Sequence, residues 1–281
     1  MFIFAPVLIR IRSALPLLSL VLCVGLSLMV EAPKAAATAE LPKANIRLIN
    51  GGVVQSARYA GLEIILPSQV KTYWRMPGDS GLPPSFDWSA SENLAEVQVL
   101  WPLPERIADP SGTIFGYHDT VIFPLLIKPK DPAKPVKLAL KLDFAVCGDL
   151  CVPMTDQASL SLDASTENVS DTERVKTFLA KVPAHAELGM SDRLSLISIE
   201  PQATDALRIT SNRPIKDLIV EGPTGWYFGD ATQQSAMVWQ VKILEKPTKA
   251  ALAGLALTVT LVSDSQATET ALSLDATGSI R

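Results

Sequence analysis

Between Val136 and Val146 the chain alternates without a break. Val136, Leu138, Leu140, Leu142, Phe144 and Val146 fall on one side, and Lys137, Ala139, Lys141 and Asp143 on the other. A two-residue side-chain period belongs to the β-strand, so this stretch predicts a half-buried strand, and it runs directly into Cys147. Further strand candidates lie at Ile46 to Ile49, Leu62 to Leu66, Ala95 to Trp101, Val121 to Lys128 and Ser159 to Leu162. Turn chemistry separates them, as in Met76-Pro77-Gly78-Asp79-Ser80-Gly81 and Asp109-Pro110-Ser111-Gly112. Short strands punctuated in this way, with no βαβ rhythm, specify an all-β chain and argue for a sandwich.

A helix interrupts the pattern at Ser170 to Val182. Ser170 and Glu173 have the spacing of a capping box, Val175, Phe178, Leu179 and Val182 form an apolar stripe, and Pro183 closes it. Strand patterns resume at Leu207 to Thr210, Leu218 to Val220, Met237 to Leu244, Leu255 to Leu261 and Ala271 to Leu274. The expected organisation is a first β-sandwich over 38–168, a linking helix over 169–185 and a second, smaller β-sandwich over 186–281.

The first 37 residues read as a secretory signal. Arg10 and Arg12 precede an apolar run from Ala14 to Val30, followed by the small-residue stretch Ala35-Ala36-Ala37-Thr38-Ala39. A cleavable signal is the expectation, with export to the periplasm and a mature start at Thr38 or Glu40. An uncleaved anchor is the alternative, since about 17 apolar residues reach the lower limit of a membrane span. Leu22 before Cys23 argues against a lipid anchor.

The whole chain has 25 Lys and Arg against 29 Asp and Glu; removing Arg10, Arg12, Lys34 and Glu31 with the signal leaves 22 against 28, about −6. That balance offers nothing to nucleic acid or to an anionic membrane surface. The only histidines are His118 and His185, and no cluster of ligand residues has metal-site spacing, so no metal or other cofactor is expected. No nucleophile-elbow, dinucleotide or P-loop pattern occurs, and no small-molecule substrate is expected. Tyr73, Trp74, Trp88 and Trp101 have the character of sandwich core, while Trp226-Tyr227-Phe228 reads as core of the second unit or as a docking surface.

Beyond the signal only two cysteines remain, in Phe144-Ala145-Val146-Cys147-Gly148-Asp149-Leu150-Cys151-Val152-Pro153. An extended chain would separate their Cα atoms by roughly 13 Å, far beyond disulfide reach, so a bond between them requires a turn at Gly148-Asp149. A loop this short removes on the order of 2 kcal/mol of unfolded-state entropy, which makes it a poor staple. A small surface loop is instead open to attack by a thiolate. From Leu142 to Glu173 there is no Lys, Arg or His, while Asp143, Asp149 and Asp156 are close in sequence. Carboxylates raise a thiol pKa, so the pair suits the role of a disulfide attacked by a partner's thiolate. A structural disulfide in a non-catalytic interaction module remains open, as does a copper-tolerance-associated protein holding Cu(I) between two thiolates.

The segment Cys147-Gly148-Asp149-Leu150-Cys151-Val152-Pro153, followed by the alternation from Ala158 to Leu162, resembles the cysteine loop of the periplasmic N-terminal domain of DsbD-type thiol:disulfide interchange proteins. The run from Thr72-Tyr73-Trp74-Arg75-Met76-Pro77 to Leu82-Pro83-Pro84, with Asp87-Trp88-Ser89, Trp101-Pro102-Leu103-Pro104-Glu105-Arg106 and Val220-Glu221-Gly222-Pro223, is similar to the ScsB branch of that family. The resemblance implies an immunoglobulin-like sandwich that accepts electrons from a membrane reductase and passes them to periplasmic disulfide proteins. It also implies that Cys147 and Cys151 are the redox pair, supported by Asp149 and Pro153, with Tyr117 near them and a shielding loop at Ile107 to Ile114. Full-length relatives continue into membrane and thioredoxin-like domains. The implied partners here are therefore thioredoxin-like periplasmic proteins and a membrane electron-transfer protein supplied in trans.

Overall fold

The computed structural model describes residues 43–78, 81–109, 112–148, 150–163, 168–202 and 205–280. The expected signal segment lies outside the described residues, as does Asp149. Ten strands precede the helix: β1 (Asn45–Val54), β2 (Ala57–Ile65), β3 (Lys71–Gly78), β4 (Ser85–Asp87), β5 (Leu94–Val99), β6 (Glu105–Asp109), β7 (Gly112–His118), β8 (Thr120–Pro129), β9 (Val136–Cys147) and β10 (Cys151–Leu162). One sheet has the order β1-β2-β8-β5; the other has the order β10-β9-β3-β7-β6, with β4 also pairing β9. The helix α1 (Val169–Leu179) is followed by β11 (Ala184–His185), β12 (Leu196–Gln202), β13 (Ala206–Ser211), β14 (Asp217–Glu221), β15 (Tyr227–Phe228), β16 (Thr232–Gln233), β17 (Val238–Glu245), β18 (Ala256–Val262) and β19 (Ala267–Ser273). These form a sheet β11-β19-β18-β14 and a second one β12-β13-β17-β15, with β16 on β17. The chain is all-β, in sheets that pack as sandwiches.

The alternation read in the sequence is the inner face of β9: Val136, Leu138, Leu140, Leu142, Phe144 and Val146 are all buried in one core with Trp74, Phe115, Tyr117 and Phe123. The strands after α1 close a separate core around Leu207, Ile209, Trp239, Val241, Val259 and Leu261. Trp226 is buried in it, while its neighbour Tyr227 is exposed.

The helix differs from expectation at its start. Its cap is Asn168, whose side-chain oxygen accepts from the backbone N–H groups of Ser170 at 2.8 Å and Asp171 at 3.3 Å. The S-x-x-E box is not formed, and Glu173 pairs with Lys176 instead. Asn is as good a cap as Ser, and it stands two residues earlier. Val175 of α1 is fully buried against Ile49 and Ile122. Gly61 leaves it room, since a Cβ there would lie 2.7 Å from Val175 Cγ2.

The two halves meet through charged side chains. Arg75 of β3 reaches both Glu221 and Glu269, and Arg106 of β6 reaches Asp217 and Asp230. Ile219 of β14 belongs to the first core, and the N–H of Leu103 donates to the carbonyl of Lys181 at 2.8 Å.

Candidate functional site

The site is built by strand register. β9 and β10 form an antiparallel hairpin in which Cys147 lies directly opposite Cys151, Val146 opposite Val152 and Ala145 opposite Pro153. The ladder alone brings the two Cα atoms to 4.0 Å, and the sulfurs are joined in a disulfide. The turn expected between the cysteines is there, with the N–H of Gly148 donating to the carbonyl of Leu150 at 3.2 Å. Leu150 is 60% exposed.

Lys71 of β3 pairs with Cys147 on the other side of β9, and His118 of β7 pairs with Lys71. Directly opposed residues in a sheet project to the same face. Cys151, Cys147, Lys71 and His118 therefore form one transverse row on the outer face of the sheet. Tyr73, two residues on from Lys71, shares that face.

The two sulfurs are not equivalent. Cys147 is fully buried, in a cluster with Tyr73, Ile114, Ala145 and Ile107, whereas Cys151 is exposed at the first residue of the edge strand. The Tyr73 hydroxyl lies 3.0 Å from Cys147 Sγ and 3.4 Å from Cys151 Sγ. Disulfide sulfurs carry no proton, so the tyrosine donates. Burial, and secondly the Asp109 carboxylate, push the Tyr73 pKa above its ordinary value, so the hydroxyl keeps its proton. The ring is held from behind, because a Cβ on Gly81 would lie 2.5 Å from Tyr73 Cε1.

Tyr117 occupies a different place from the one the sequence suggested. Strand alternation puts Ile114 and Gly116 of β7 on the outer face and Phe115 and Tyr117 on the inner one. Tyr117 is buried in the inter-sheet core, its ring 5.3 Å from that of Phe123 and its hydroxyl donating to the carbonyl of Pro102 at 2.7 Å. The tyrosine at the sulfurs is Tyr73, whose cross-strand neighbour is Gly116. Pro153 is exposed on β10, at the sheet edge where a residue without an N–H is tolerated. The expected shielding segment, Ile107 to Ile114, belongs to the β6–β7 hairpin, in which those two isoleucines pair and pack against Cys147.

Three further residues have no signal in the local sequence. Lys71, Asp109 and His118 all come to the row from distant strands, and Lys71 Nζ is 2.7 Å from Asp109 Oδ2, both side chains being mostly buried. His118 Nδ1 lies 3.0 Å from Glu105 Oε2. Among the described residues no group of His, Cys, Asp and Glu is arranged to hold a metal ion, and no helix is long and apolar enough to cross a membrane.

Residues 45–163 match the family model described as thiol:disulfide interchange protein DsbD, N-terminal. Among solved structures, the N-terminal periplasmic domain of ScsB from Proteus mirabilis matches with a TM-score of 0.60 at 20% identity, covering 83% of this chain and 92% of that one. Coverage on that scale exceeds 45–163, so the likeness in fold extends into the strands beyond α1. The endo-fucoidan hydrolase MfFcnA9 of glycoside hydrolase family 107 is matched at 13% identity over 74% of this chain and 35% of that one, with a TM-score of 0.14 that carries no argument. No curated protein sequence matches the chain.

Proposed function

Residues 45–163 form a DsbD-type N-terminal domain, and from that premise we propose that this protein is a periplasmic thiol:disulfide exchange module working through Cys147 and Cys151. The observation that carries the reading is the asymmetry of the disulfide: one cysteine is exposed at a strand edge, and the other is buried under a hydroxyl donor. The periplasmic assignment draws support from the periplasmic ScsB domain it resembles in fold and from the disulfide itself.

The chemistry follows from access. A partner's thiolate attacks Cys151 Sγ, the bond between the two sulfurs breaks, and Cys147 Sγ departs with the electron pair while the Tyr73 hydroxyl donates to it. The partner's second thiolate then attacks its own sulfur in the mixed disulfide and releases Cys151. The partner leaves oxidised and the domain reduced. In the opposite half-cycle the Cys151 thiolate attacks a downstream protein disulfide, and Cys147 resolves the mixed species. Thioredoxin-like proteins, which carry paired thiols on an accessible surface, are the partners proposed on both sides, with a membrane reductase as the source of electrons.

A titration of the purified protein against glutathione and dithiothreitol tests this. A potential between about −180 and −270 mV supports exchange, and one far below about −300 mV makes the bond structural. Single-cysteine variants sharpen the test. Cys147→Ser is expected to accumulate a mixed disulfide with a thioredoxin-like partner through Cys151, and Cys151→Ser is expected to trap none.

A further inference from the structure

The reading from local sequence leaves the cysteines without a positive charge, and the fold supplies one. Lys71 sits directly across the ladder from Cys147, on the same face, and its ammonium is held by Asp109 at the end of the β6–β7 hairpin. Cross-strand neighbours have Cβ atoms about 5 Å apart, a spacing that the lysine stem spans with ease. Its present partner is therefore a matter of competition between anions, and the exchange reaction creates a new anion beside it.

We propose that Lys71 is the counter-charge of the Cys147 thiolate and exchanges partners with the redox state: Asp109 when the pair is a disulfide, the Cys147 sulfur when the pair is reduced. The inference rests on the exchange function proposed above and assigns a positioning residue within it. When a partner's thiolate breaks the disulfide at Cys151, the electron pair passes to Cys147 Sγ, which is fully buried. A buried anion with a single neutral donor is costly, and a neighbouring ammonium lowers that cost. Lys71 has little exposure to lose, since its side chain is 13% exposed in the disulfide state.

Among the described residues, the charged and titratable groups around this sulfur are few. β3 contributes Lys71 and Tyr73, β6 contributes Asp109 and Glu105, and β7 contributes His118, which pairs with Glu105. Asp143 shares the face further along β9 but is exposed and bonded to Thr155. Of these, Lys71 is the cation whose backbone is paired directly with that of Cys147.

The test reads the Cys147 thiol directly, in a Cys151→Ser background, by ultraviolet thiolate absorbance against pH, with the variant lacking both cysteines subtracted to remove tyrosine. Lys71→Met is expected to raise the midpoint by about one pH unit and Asp109→Asn to lower it by about as much, with Lys71→Arg restoring the parent value. A purely structural ion pair would be broken equally by both substitutions. Shifts in the same direction, or no shift with Lys71→Met, would therefore overturn the assignment. Should Lys71→Met lose its fold by circular dichroism, Asp109→Asn still decides through the sign of its shift. The measurement is independent of any partner, so a failed role for Lys71 is distinguishable from a failed exchange function, which the redox titration reports.

Discussion

Replacing Tyr73 by Phe removes one oxygen from the molecule and leaves the ring that packs against Gly81. The oxygen lies 3.0 Å from the fully buried sulfur of Cys147 and 3.4 Å from that of Cys151. In the disulfide the contact is a weak donation to neutral sulfur. As Cys147 departs it becomes a hydrogen bond to a charged acceptor, worth about 1.5–3 kcal/mol when the charge is complete. With about half of that charge developed at the transition state, the variant loses about 0.75–1.5 kcal/mol of stabilisation, which slows reduction roughly three- to thirteenfold. Stopped-flow reduction by dithiothreitol, with thiols titrated in quenched aliquots, measures this without a biological partner. Because burial first and Asp109 second hold the Tyr73 pKa above its ordinary value, the hydroxyl stays protonated across neutral pH, and the ratio of the two rates should be flat there. A folded Tyr73→Phe protein reduced within about twofold of the wild-type rate would refute the reasoning. So would a ratio that collapses towards one near neutrality, since the hydroxyl would then be losing its proton where burial should retain it.

Two other perturbations follow from the same geometry. Gly81→Ala places a Cβ 2.5 Å from the Tyr73 ring at a backbone φ of +144°, so it should cost about 1–3 kcal/mol in urea denaturation and also slow reduction of the disulfide. An unchanged reduction rate would mean that the ring does not depend on that loop. Arg75→Met leaves Glu221 and Glu269 facing each other without their shared cation, a loss of about 1–3 kcal/mol. Calorimetry should show a lower Tm with the two sandwiches melting apart, and a single transition at the wild-type Tm would remove Arg75 from that role.

The cysteine hairpin was legible because everything that makes it is contiguous: an alternating run sets the inner face of β9, and a Gly-containing turn returns the chain so that Cys151 meets Cys147. The rest of the site was not, for a geometric reason. Tyr73 reaches the sulfurs, and the Lys71–Asp109 pair is set on their face of the sheet, through the single pairing of Lys71 with Cys147 and through the β6–β7 hairpin, and neither register is written in any local pattern. β3 is obscured further by the break in its pairing between Tyr73 and Gly78, where Met76-Pro77-Gly78 reads as a turn. The resemblance pointed to a tyrosine near the cysteines and selected Tyr117. One step of strand parity separates that residue, facing the core, from Gly116, the residue paired with Tyr73 on the outer face. A similar short displacement moved the helix cap from Ser170 to Asn168.

Strand β3 is gripped at two points. Its first residue is laced to the cysteine strand, and a few residues later Arg75 is bolted to two acidic side chains of the other sandwich. β6, next but one in the same sheet, is bolted across in the same manner by Arg106. The frame around the disulfide thus behaves as a braced truss, and force applied at Cys151 is carried into the whole body. A visiting protein would find an unyielding target, and the flexing needed to align three sulfurs for exchange would fall to the visitor.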